Sequence, residues 1–468
     1  MNLKKIAIWL MVSMLTGACN KKFLDLQPYD QVPLDEAIVD ENSMQTAVNG
    51  MYSSLRAVDF FGRSIPIDGD LLADNVYISS VNSNRYIPEI TYSYIETYDN
   101  VQNTWAEAYN TIQRANNVIN ATVPSSEVSD QLRGEALTIR ALAYFELVKF
   151  YARPYLTDPA GAGVPLVLTY DPQIRPARNT VAEVYQQIET DLTNAYGLLT
   201  EDKNSSYVSR YVAQALLARF YQYKGDWSKA KAAALDVVNN GGYSLADSGS
   251  LVNYWTNPYP VSNKLETIFE VEFDAIGNNG TDDLDAFYSQ DGYGDALCTD
   301  DLYNSYSSTD ARRALILPGN RGGENVWVVN KYPNATNPNG KDNTKIIRYA
   351  EVLLILAESY NRKLDDVPAR DVLNFLATTR DPQFGGYVSS GATLLDDIYL
   401  ERRKELAFEG HRYWDLVRLN RDVVRNNSTG NYPPFVPLTL SVSSAKRIFP
   451  IPKAELNVNK NMVQNPGY

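Results

Sequence analysis

The stretch Leu400–Arg421, LERRKELAFEGHRYWDLVRLNR, contains the side-chain types of an acid–base active site. It holds the only histidine of the chain, His411, and Glu409, Arg412 and Asp415 lie close to it. A general acid–base site also needs a second positioned group in a cleft, and no feature of the sequence marks one. We therefore predict that His411 is a structural group near a helix boundary and that the chain has no catalytic residue.

The helix predicted before His411 carries charges within or beside its apolar stripe. Arg402, Glu405 and Glu409 are spaced by three or four residues, which brings them close together on the helix surface. A charge near a buried face needs a partner. For Glu405 this would be Arg402 or an arginine from another helix. Gly410 is predicted to end the helix, and Trp414 is predicted to be buried in the turn that follows.

The other nucleophilic and metal-binding residue types give no further site. Cys298 has no nearby histidine in the sequence, and we expect a partly buried, unreactive thiol. One histidine and one such cysteine do not make a zinc site. Two aspartate-rich stretches carry the oxygen ligands that calcium takes, but neither has the EF-hand spacing, so we predict solvated loops and no metal. These aspartates are Asp68, Asp70, Asp74, Asp291, Asp295, Asp300 and Asp301.

Charge and composition exclude two classes of partner. The net charge is -13, whereas nucleic acids and anionic lipid surfaces are bound by basic faces. No phosphate-binding loop, dinucleotide fingerprint or nucleophile elbow occurs, so no cofactor is predicted. The 33 tyrosines are unusual. Tyrosine suits wet contacts with carbohydrate or peptide, although we expect most of these residues to fill the seams between helices.

The N-terminus is predicted to direct export. Lys4 and Lys5 precede an apolar run over Ile6–Leu15, which is shorter than the ~20 residues of a membrane-spanning helix. This pattern is typical of a secretory signal peptide, here residues 1–18. The sequence LTGAC at its end resembles a bacterial lipobox, so Cys19 is predicted to carry the lipid that anchors the mature protein.

Helical periodicity predicts a scaffold over residues about 34–240 and 345–425. Ser126 is a plausible N-cap, and Thr180 with Glu183 offers a capping box. The most informative segment has small and aromatic residues at the offsets of a tetratricopeptide helix hairpin. The residues at these offsets are Ala218, Tyr221, Gly225, Trp227 and Ala230, and Ala357, Tyr360 and Ala369 repeat three of them.

Residues about 243–345 have a different texture, dominated by Asn, Gly, Asp, Pro and Tyr. We interpret them as a loop-rich insertion that carries a ligand-facing layer, not as a separate domain. The segment ETIFEVEF alternates in the manner of a strand. The tail over residues 430–468 is too rich in proline and apolar residues for a helix and is predicted to pack back along the scaffold.

Several stretches together resemble the SusD/RagB family of outer-membrane nutrient-uptake lipoproteins. They occur in the family's order from Cys19 to Tyr468. They are the lipobox followed by FLDLQP, RALAYFELVKFY, ARNTVAEVYQQIETDL, ALLARFYQYKGDWSKA, RYAEVLLILAES, ERRKELAFEGHRYWDLVRL and FPIPKAELNVNKNMVQNPGY. The resemblance implies one SusD-like domain over residues 19–468. Its fold would be mostly α, an α–α superhelix of four tetratricopeptide-like helix pairs that supports an irregular ligand-binding side.

The resemblance also implies a function. Family members are lipid-anchored on the exterior of the outer membrane, where they cap a SusC-like TonB-dependent transporter and hand it glycans or, in some branches, peptides. They are not enzymes. Their sites use aromatic and amide side chains from loops near residues 73–86 and 280–330, and stacking on sugar rings is the expected chemistry. The ligand-binding residues predicted in this way are Tyr77, Asn82, Tyr86, Tyr293 and Trp327.

Other functions stay open at this point. The same role could serve peptides. The helix pairs could also form a groove that binds another protein without a small ligand. A surface hydrolase is a further alternative, which the lack of a catalytic constellation disfavours.

Overall fold

The computed structural model describes residues 37–171 and 173–468. The predicted signal peptide, the predicted lipid-attachment residue Cys19 and the predicted start of the scaffold at residue 34 lie outside the described residues.

The described chain is mostly α-helical, as predicted. Its helices are α1 (Glu41–Leu55), α2 (Ser64–Leu71), α3 (Ile87–Thr91), α4 (Asp99–Ile119), α5 (Glu127–Tyr151), α6 (Val181–Leu198), α7 (Arg210–Lys224), α8 (Trp227–Asn240), α9 (Leu251–Thr256), α10 (Leu284–Tyr288), α11 (Asp300–Ser305), α12 (Tyr349–Arg362), α13 (Asp366–Arg380), α14 (Gly391–Glu405), α15 (Arg412–Arg418) and α16 (Lys453–Val458). None of these helices is both long and apolar enough to cross a membrane.

The strands are short and belong to three small sheets. They are β1 (Val76–Ile78), β2 (Thr267–Val271), β3 (Ala296–Cys298), β4 (Ile316–Arg321), β5 (Glu324–Val329), β6 (Thr344–Arg348), β7 (Val423–Val424) and β8 (Thr439–Leu440). The largest sheet has the order β1-β3-β5-β4, and its neighbouring strands are antiparallel. Strand β2, which the alternating segment predicts, pairs with β6.

The scaffold is a continuous stack of long helices. Helix α1 packs on α4, and each later long helix packs on the next through α5, α6, α7, α8 and α12, on which α13 and α14 also pack. In the pair α7–α8, Ala218 and Ala230 are completely buried, so the two helix backbones can approach closely. Gly225 ends α7 in the left-handed region at φ +74°, which favours glycine. The tetratricopeptide-like hairpin is therefore confirmed.

The predicted helix starts are also confirmed. The side chain of Ser126 accepts a hydrogen bond from the backbone N–H of Ser129 at the start of α5. Thr180 and Glu183 form a reciprocal capping box at the start of α6. Such caps satisfy backbone donors that have no partner within the helix.

The C-terminal tail packs along the scaffold, as predicted. The backbone N–H of Phe449 donates to the carbonyl of Phe150 at 2.7 Å, and the amide of Asn465 donates to the carbonyl of Tyr151 at 2.9 Å. The prediction that the tail is not helical is wrong for α16. Pro452 directly precedes this helix, where the lack of an N–H donor removes no helical hydrogen bond.

A buried cluster of charges joins the helices to the loop-rich insertion. We call it the Glu405 cluster, and its members are Glu266, Arg312, Lys331, Arg348, Arg380, Glu405 and Glu409, all in the interior. Glu405 Oε1 lies 2.9 Å from Arg380 and 3.1 Å from Arg348. Arg348 also binds Glu409 through two nitrogens, each at 2.7 Å. Although burial opposes ionisation, these arginines hold the pKa of Glu405 well below its ordinary value.

The predicted pairing of Glu405 is confirmed for an arginine from another helix, Arg380 of α13, and the alternative Arg402–Glu405 pair is wrong. Arg402 instead binds Asp415 at 2.8 Å and Glu351 at 3.3 Å. Its side chain leaves α14 on another face and meets α12 and α15.

The prediction that Gly410 ends the helix is also wrong. Helix α14 ends at Glu405, and residues 406–410 form a turn. Gly410 still needs a glycine conformation, at φ +76°, and a Cβ there would overlap the backbone of Pro66.

His411 occupies the N-cap position of α15, at the helix boundary where we expect a structural group. Its Nε2 lies 3.9 Å from a carboxylate oxygen of Glu351. Burial, reinforced by Arg219 and Arg402, lowers the pKa of His411 to about 4. The ring is therefore neutral at pH 7, which fits a structural role. Trp414 is buried, as predicted.

Replacing Glu405 by Gln should destabilise the fold. Arg348 and Arg380 would keep their buried charges and lose a carboxylate, so we expect the free energy of unfolding to fall by about 3 kcal/mol. Guanidinium chloride denaturation of the purified protein measures this change.

The matched control is Glu127→Gln, at an exposed position in the first turn of α5. It should change stability by less than about 0.5 kcal/mol. Equal denaturation midpoints for the Glu405 variant and the unmodified protein would contradict the prediction.

Candidate functional site

The four-stranded sheet carries two of the predicted ligand-binding residues. Tyr77 on β1 lies opposite Leu297 on β3, and Trp327 on β5 lies opposite Cys298 on β3. The loop that follows β1 and the tip of the β4–β5 hairpin extend from this sheet. Short strands thus place loops that are far apart in the sequence next to one another.

Trp327 belongs to a stacked group. Its ring lies parallel to that of Tyr303, with 3.5 Å between the ring centroids, and the guanidinium of Arg313 lies 4.4 Å from the centroid of Tyr303. The indole N–H of Trp327 donates to Asp300 at 2.7 Å. Tyr303 therefore covers one face of the half-buried Trp327, and the orientation of the indole is held by its hydrogen bond.

Tyr77 is buried at 5 % exposure. Burial, with the charge of Asp300 as the next cause, raises the pKa of its phenol, and a hydrogen bond with Asn431 opposes this shift. Asn431 also donates to Asp300 at 3.1 Å. Tyr77 and Trp327 are therefore linked through Asp300, but the Tyr77 ring offers little surface, and its contact with a ligand stays a prediction.

Asn82 shapes the loop after β1. Its amide nitrogen donates to the carbonyl of Ser79 at 2.6 Å, and its amide oxygen accepts from the backbone N–H of Asn84 at 2.8 Å. The same loop is attached to the insertion because Ser83 donates to the buried carboxylate of Asp295 from its N–H and its hydroxyl. The nitrogen and the oxygen of the Asn82 side-chain amide thus both have local partners. The contact of Asn82 with a ligand stays a prediction.

The hairpin tip closes this arrangement. Arg321 at the end of β4 donates to the carbonyl of Val81 at 2.6 Å, to Asp295 at 2.6 Å and to Gln290 at 3.2 Å. One guanidinium therefore joins the loop after β1, the segment before β3 and the β4–β5 hairpin.

Tyr86 and Tyr293 lie beside two arginines. The phenol of buried Tyr86 accepts from Arg63 Nε at 2.8 Å, while the guanidinium of Arg85 lies 3.9 Å from the ring centroid of half-buried Tyr293. Asp282 binds both arginines, at 2.9 Å from Arg63 and 3.4 Å from Arg85. Asp282 thereby connects the two tyrosines, but their roles in ligand contact stay predictions.

We use the term loop face for the surface formed by residues 79–86, 290–295, 300–303 and 320–327. It presents half-buried rings, each beside a guanidinium or carboxylate. Such a surface combines stacking with hydrogen bonding. Its rings and charges are held in place before any ligand arrives.

Sequence reasoning missed several residues of the loop face and its support. Arg85 directly precedes Tyr86, and its charge inside a polar loop was an available signal. Tyr303 lies in a segment rich in tyrosine and aspartate. Asn431 had no usable signal, because its partner Asp300 is 131 residues away in the chain.

The prediction of solvated aspartates is wrong for Asp68, Asp70, Asp74 and Asp295, which are all buried. Asp74 binds Arg412 at 2.7 Å. Although burial opposes ionisation, Arg412 and Arg403 lower the pKa of Asp74 to about 2. Among the residues that the structure describes, no group of three or more His, Cys, Asp or Glu side chains could hold a metal ion.

Cys298 is more buried than predicted, with no exposed surface within β3. Burial raises the pKa of its thiol above the ordinary value. Because thiolate is the reactive form, the thiol is unreactive at neutral pH.

A buried pair of acids, one on α2 and one on α3, shares an amide of α4. The amide of Asn100 donates to Asp68 at 2.9 Å and to Glu89 at 2.7 Å. Both carboxyls are fully buried. Burial raises the pKa of Glu89 to about 7, and burial together with the charge of Glu89 raises that of Asp68.

Comparison with known proteins identifies the class that this helix-pair scaffold and its loop face define. A family described as "Starch-binding associating with outer membrane" matches residues 22–222, and the SusD family matches residues 315–468. A candidate sugar-binding protein of Bacteroides vulgatus is 30% identical, with a TM-score of 0.83, over 92% of this chain and 99% of that one.

Other relatives agree. A SusD superfamily structure from Bacteroides thetaiotaomicron has a TM-score of 0.83 at 27% identity and covers 92% of this chain and 100% of its own. "SusD-like protein P2" of Formosa agariphila is 26% identical over 91% of this chain and 92% of its own length. The chain belongs to the SusD family.

The acid pair predicts a pH dependence. The folded-state pKa of Glu89, about 7, exceeds its ordinary value of 4.5. Its protonation therefore contributes stability that is fully present below about pH 4.5 and is lost as the pH rises through 7. Glu89→Gln cannot ionise at this position and does not lose this stability as the pH rises. The free energy of unfolding of the variant, relative to that of the unmodified protein, should therefore increase by up to about 3 kcal/mol between pH 4.5 and 7.5.

Urea denaturation at several pH values measures this difference, in which the titration of acids remote from Glu89 cancels. The pKa of Asp68 is also raised by the charge of Glu89, so the difference reports the titration of the pair. Glu127→Gln is the control and should follow the unmodified protein at every pH. A constant difference between the Glu89 variant and the unmodified protein would show that Glu89 does not titrate in this window.

Proposed function

We propose that this protein is a surface-anchored binding protein that captures a fragment of a nutrient polymer. The ligand is a glycan or oligosaccharide, bound at the loop face. The sugar-binding description of a 30% identical relative supports this choice. The observation that carries it is the stacked group of Trp327, Tyr303 and Arg313, because an aromatic plane bordered by hydrogen-bonding groups suits a sugar ring.

The proposal assigns no chemistry to the protein. The neutral His411 and the unreactive Cys298 support a binding role without catalysis. Their protonation states follow from burial, of His411 in the scaffold and of Cys298 in the four-stranded sheet. The captured ligand leaves unchanged, and the protein acts as one domain over residues 19–468.

The proposal includes delivery. The lipid on Cys19 holds the protein at the outer membrane with the loop face toward the exterior, and the ligand passes to a SusC-like TonB-dependent transporter. The family that matches residues 22–222 is described as associating with the outer membrane. That description supports the location.

Alanine substitutions test the loop face. Trp327→Ala and Tyr293→Ala each remove a half-buried ring, and each should raise the Kd for an oligosaccharide at least about tenfold, which is 1.4 kcal/mol of binding free energy. Affinity electrophoresis against a panel of soluble polysaccharides, starch first, finds the ligand, and calorimetry measures its Kd.

Phe375→Ala is the matched control, because this ring is 52% exposed on α13, outside the loop face. It should leave the Kd unchanged. Intact affinity in both loop-face variants would remove Trp327 and Tyr293 from the site, and binding of peptides alone would change the ligand class.

Co-purification tests delivery. A C-terminally tagged full chain, extracted gently from native membranes, should bring down a TonB-dependent barrel in near-equal amount, because the proposed handover needs a stable complex. Mass spectrometry identifies the co-purified protein. Recovery of the chain alone, or with an unrelated protein, would favour a protein-binding scaffold, and degradation of a polymer by the purified chain would favour a hydrolase.

A further inference from the structure

A second pocket lies away from the loop face, between α1 and β2. Its volume is about 250 Å³, a little below the ~300–1,000 Å³ of sites for drug-sized ligands, so it suits one sugar or amino-acid residue. The side chains that decide its chemistry are Tyr52, Arg56, Tyr207, Glu270, Glu272 and Asp274.

Two tyrosines form an aromatic wall. The rings of Tyr52 and Tyr207 meet edge to face at 5.6 Å between centroids. The phenol of Tyr52 donates to Glu135 at 2.8 Å and accepts from the N–H of Val208 at 2.9 Å, so Tyr52 offers mainly its ring. Lys203 lies 5.2 Å from the ring of Tyr207, a distance at which an aromatic ring attracts a cation, and its charge is paired with Glu201 at 3.0 Å.

Two of the three acids already have basic partners. Buried Glu270 lies 3.5 Å from Lys345 and accepts from Ser205. Asp274 lies 3.7 Å from Arg56, whose guanidinium also donates to the carbonyl of Gly277 at 3.1 Å.

Glu272 is different. It is half-buried in the pocket wall, and among the described residues its carboxylate has neither a hydrogen bond nor an ion pair. The local pairs leave one negative charge beside an aromatic wall in a space the size of one residue. A carboxylate next to aromatic faces is complementary to an organic cation.

We propose that this pocket binds a protonated primary amine, with Glu272 as its counter-ion and the rings of Tyr52 and Tyr207 as its wall. The amine would belong to an amino sugar or to a peptide. The inference rests on the proposed function in one respect, which is that the protein captures nutrient fragments. It adds that the captured fragment carries a protonated primary amine.

The pocket and the loop face share one connecting segment. Asn279 donates to the carbonyl of Arg56 at the pocket, and Asp282 binds Arg63 and Arg85 on the other side. Residues 279–282 therefore connect the two sites through the protein.

Matched pairs of probes test the charge requirement. The full chain is titrated, with ligand-observed NMR, with glucosamine and N-acetylglucosamine, and with a dipeptide amide whose amino terminus is free or acetylated. The free amines should bind at least tenfold more tightly than the acetylated forms, and added salt should weaken their binding. Tighter binding of the sugar or of the peptide identifies the source of the amine.

Variants locate the binding. Glu272→Gln keeps the shape of the side chain and should raise the Kd of the free amine at least tenfold, while Glu272→Asp should retain part of the affinity. Glu127→Gln removes a surface charge outside the pocket and should change nothing. Equal binding of free and acetylated probes, or an unchanged Kd in Glu272→Gln, would overturn the inference.

The two proposals fail separately. Trp327→Ala should leave the binding of a single free amine intact, and Glu272→Gln should leave the binding of a neutral oligosaccharide at the loop face intact. Loss of amine selectivity with normal glycan binding would refute only the pocket. Normal amine binding without any oligosaccharide binding would refute only the proposed loop-face function.

Discussion

The fold depends on the burial of the Glu405 cluster. Its charges are stable in the interior only because several segments supply partners at the same place: Glu266 before β2, Lys331 after β5, Arg348 at the end of β6, and Arg380 and Glu405 at the ends of two helices. An incomplete cluster would leave a buried charge unpaired, at a cost of several kcal/mol. The insertion and the scaffold therefore have to fold together, because the buried charges are all paired only when both parts contribute to the Glu405 cluster.

This condition explains how a segment rich in turn-forming residues can present a defined surface. The insertion packs into a second apolar core around Trp255, Tyr288 and Tyr332, to which residues 67–90 and 407–436 also contribute. The Glu405 cluster borders this core, because Lys331 and Arg348 lie over the ring of Trp255. Asp295 and Arg321 then repeat the same principle on a smaller scale. Each loop of the loop face is attached by a buried or partly buried charge to another loop. Because the loops are already ordered, ligand binding costs little conformational entropy of the protein.

The sequence could predict what depends on local spacing. The N-cap at Ser126, the capping box at Thr180 and the alanine offsets of α7–α8 are set by residues a few positions apart, and the structure confirms them. Long-range partners were not accessible in the same way. Local spacing offers Glu405 either Arg402 or an arginine of another helix and does not decide between them, whereas Arg402 in fact binds Asp415 and Glu351 on other helices. The sequence predicts Asp74 in solvent, but Arg412 reaches it from 338 residues away. For the loop face, the tyrosines and tryptophan were visible as residue types, whereas the stacking of Trp327 on Tyr303 depends on the sheet register.

The partners of the charged and aromatic side chains distinguish residues that support the fold from residues that could bind a ligand. In the interior, acids such as Glu405 and Glu351 are matched by arginines, and the one histidine is kept neutral, so these groups have no capacity left for a ligand. At the loop face Trp327 has one covered face and a committed N–H, which fixes the ring and limits the surface that a ligand gains. Fixed rings lower the entropic cost of binding, while partial cover restrains its strength. That combination fits the proposed handover, because contacts made through single ring faces can be replaced one after another.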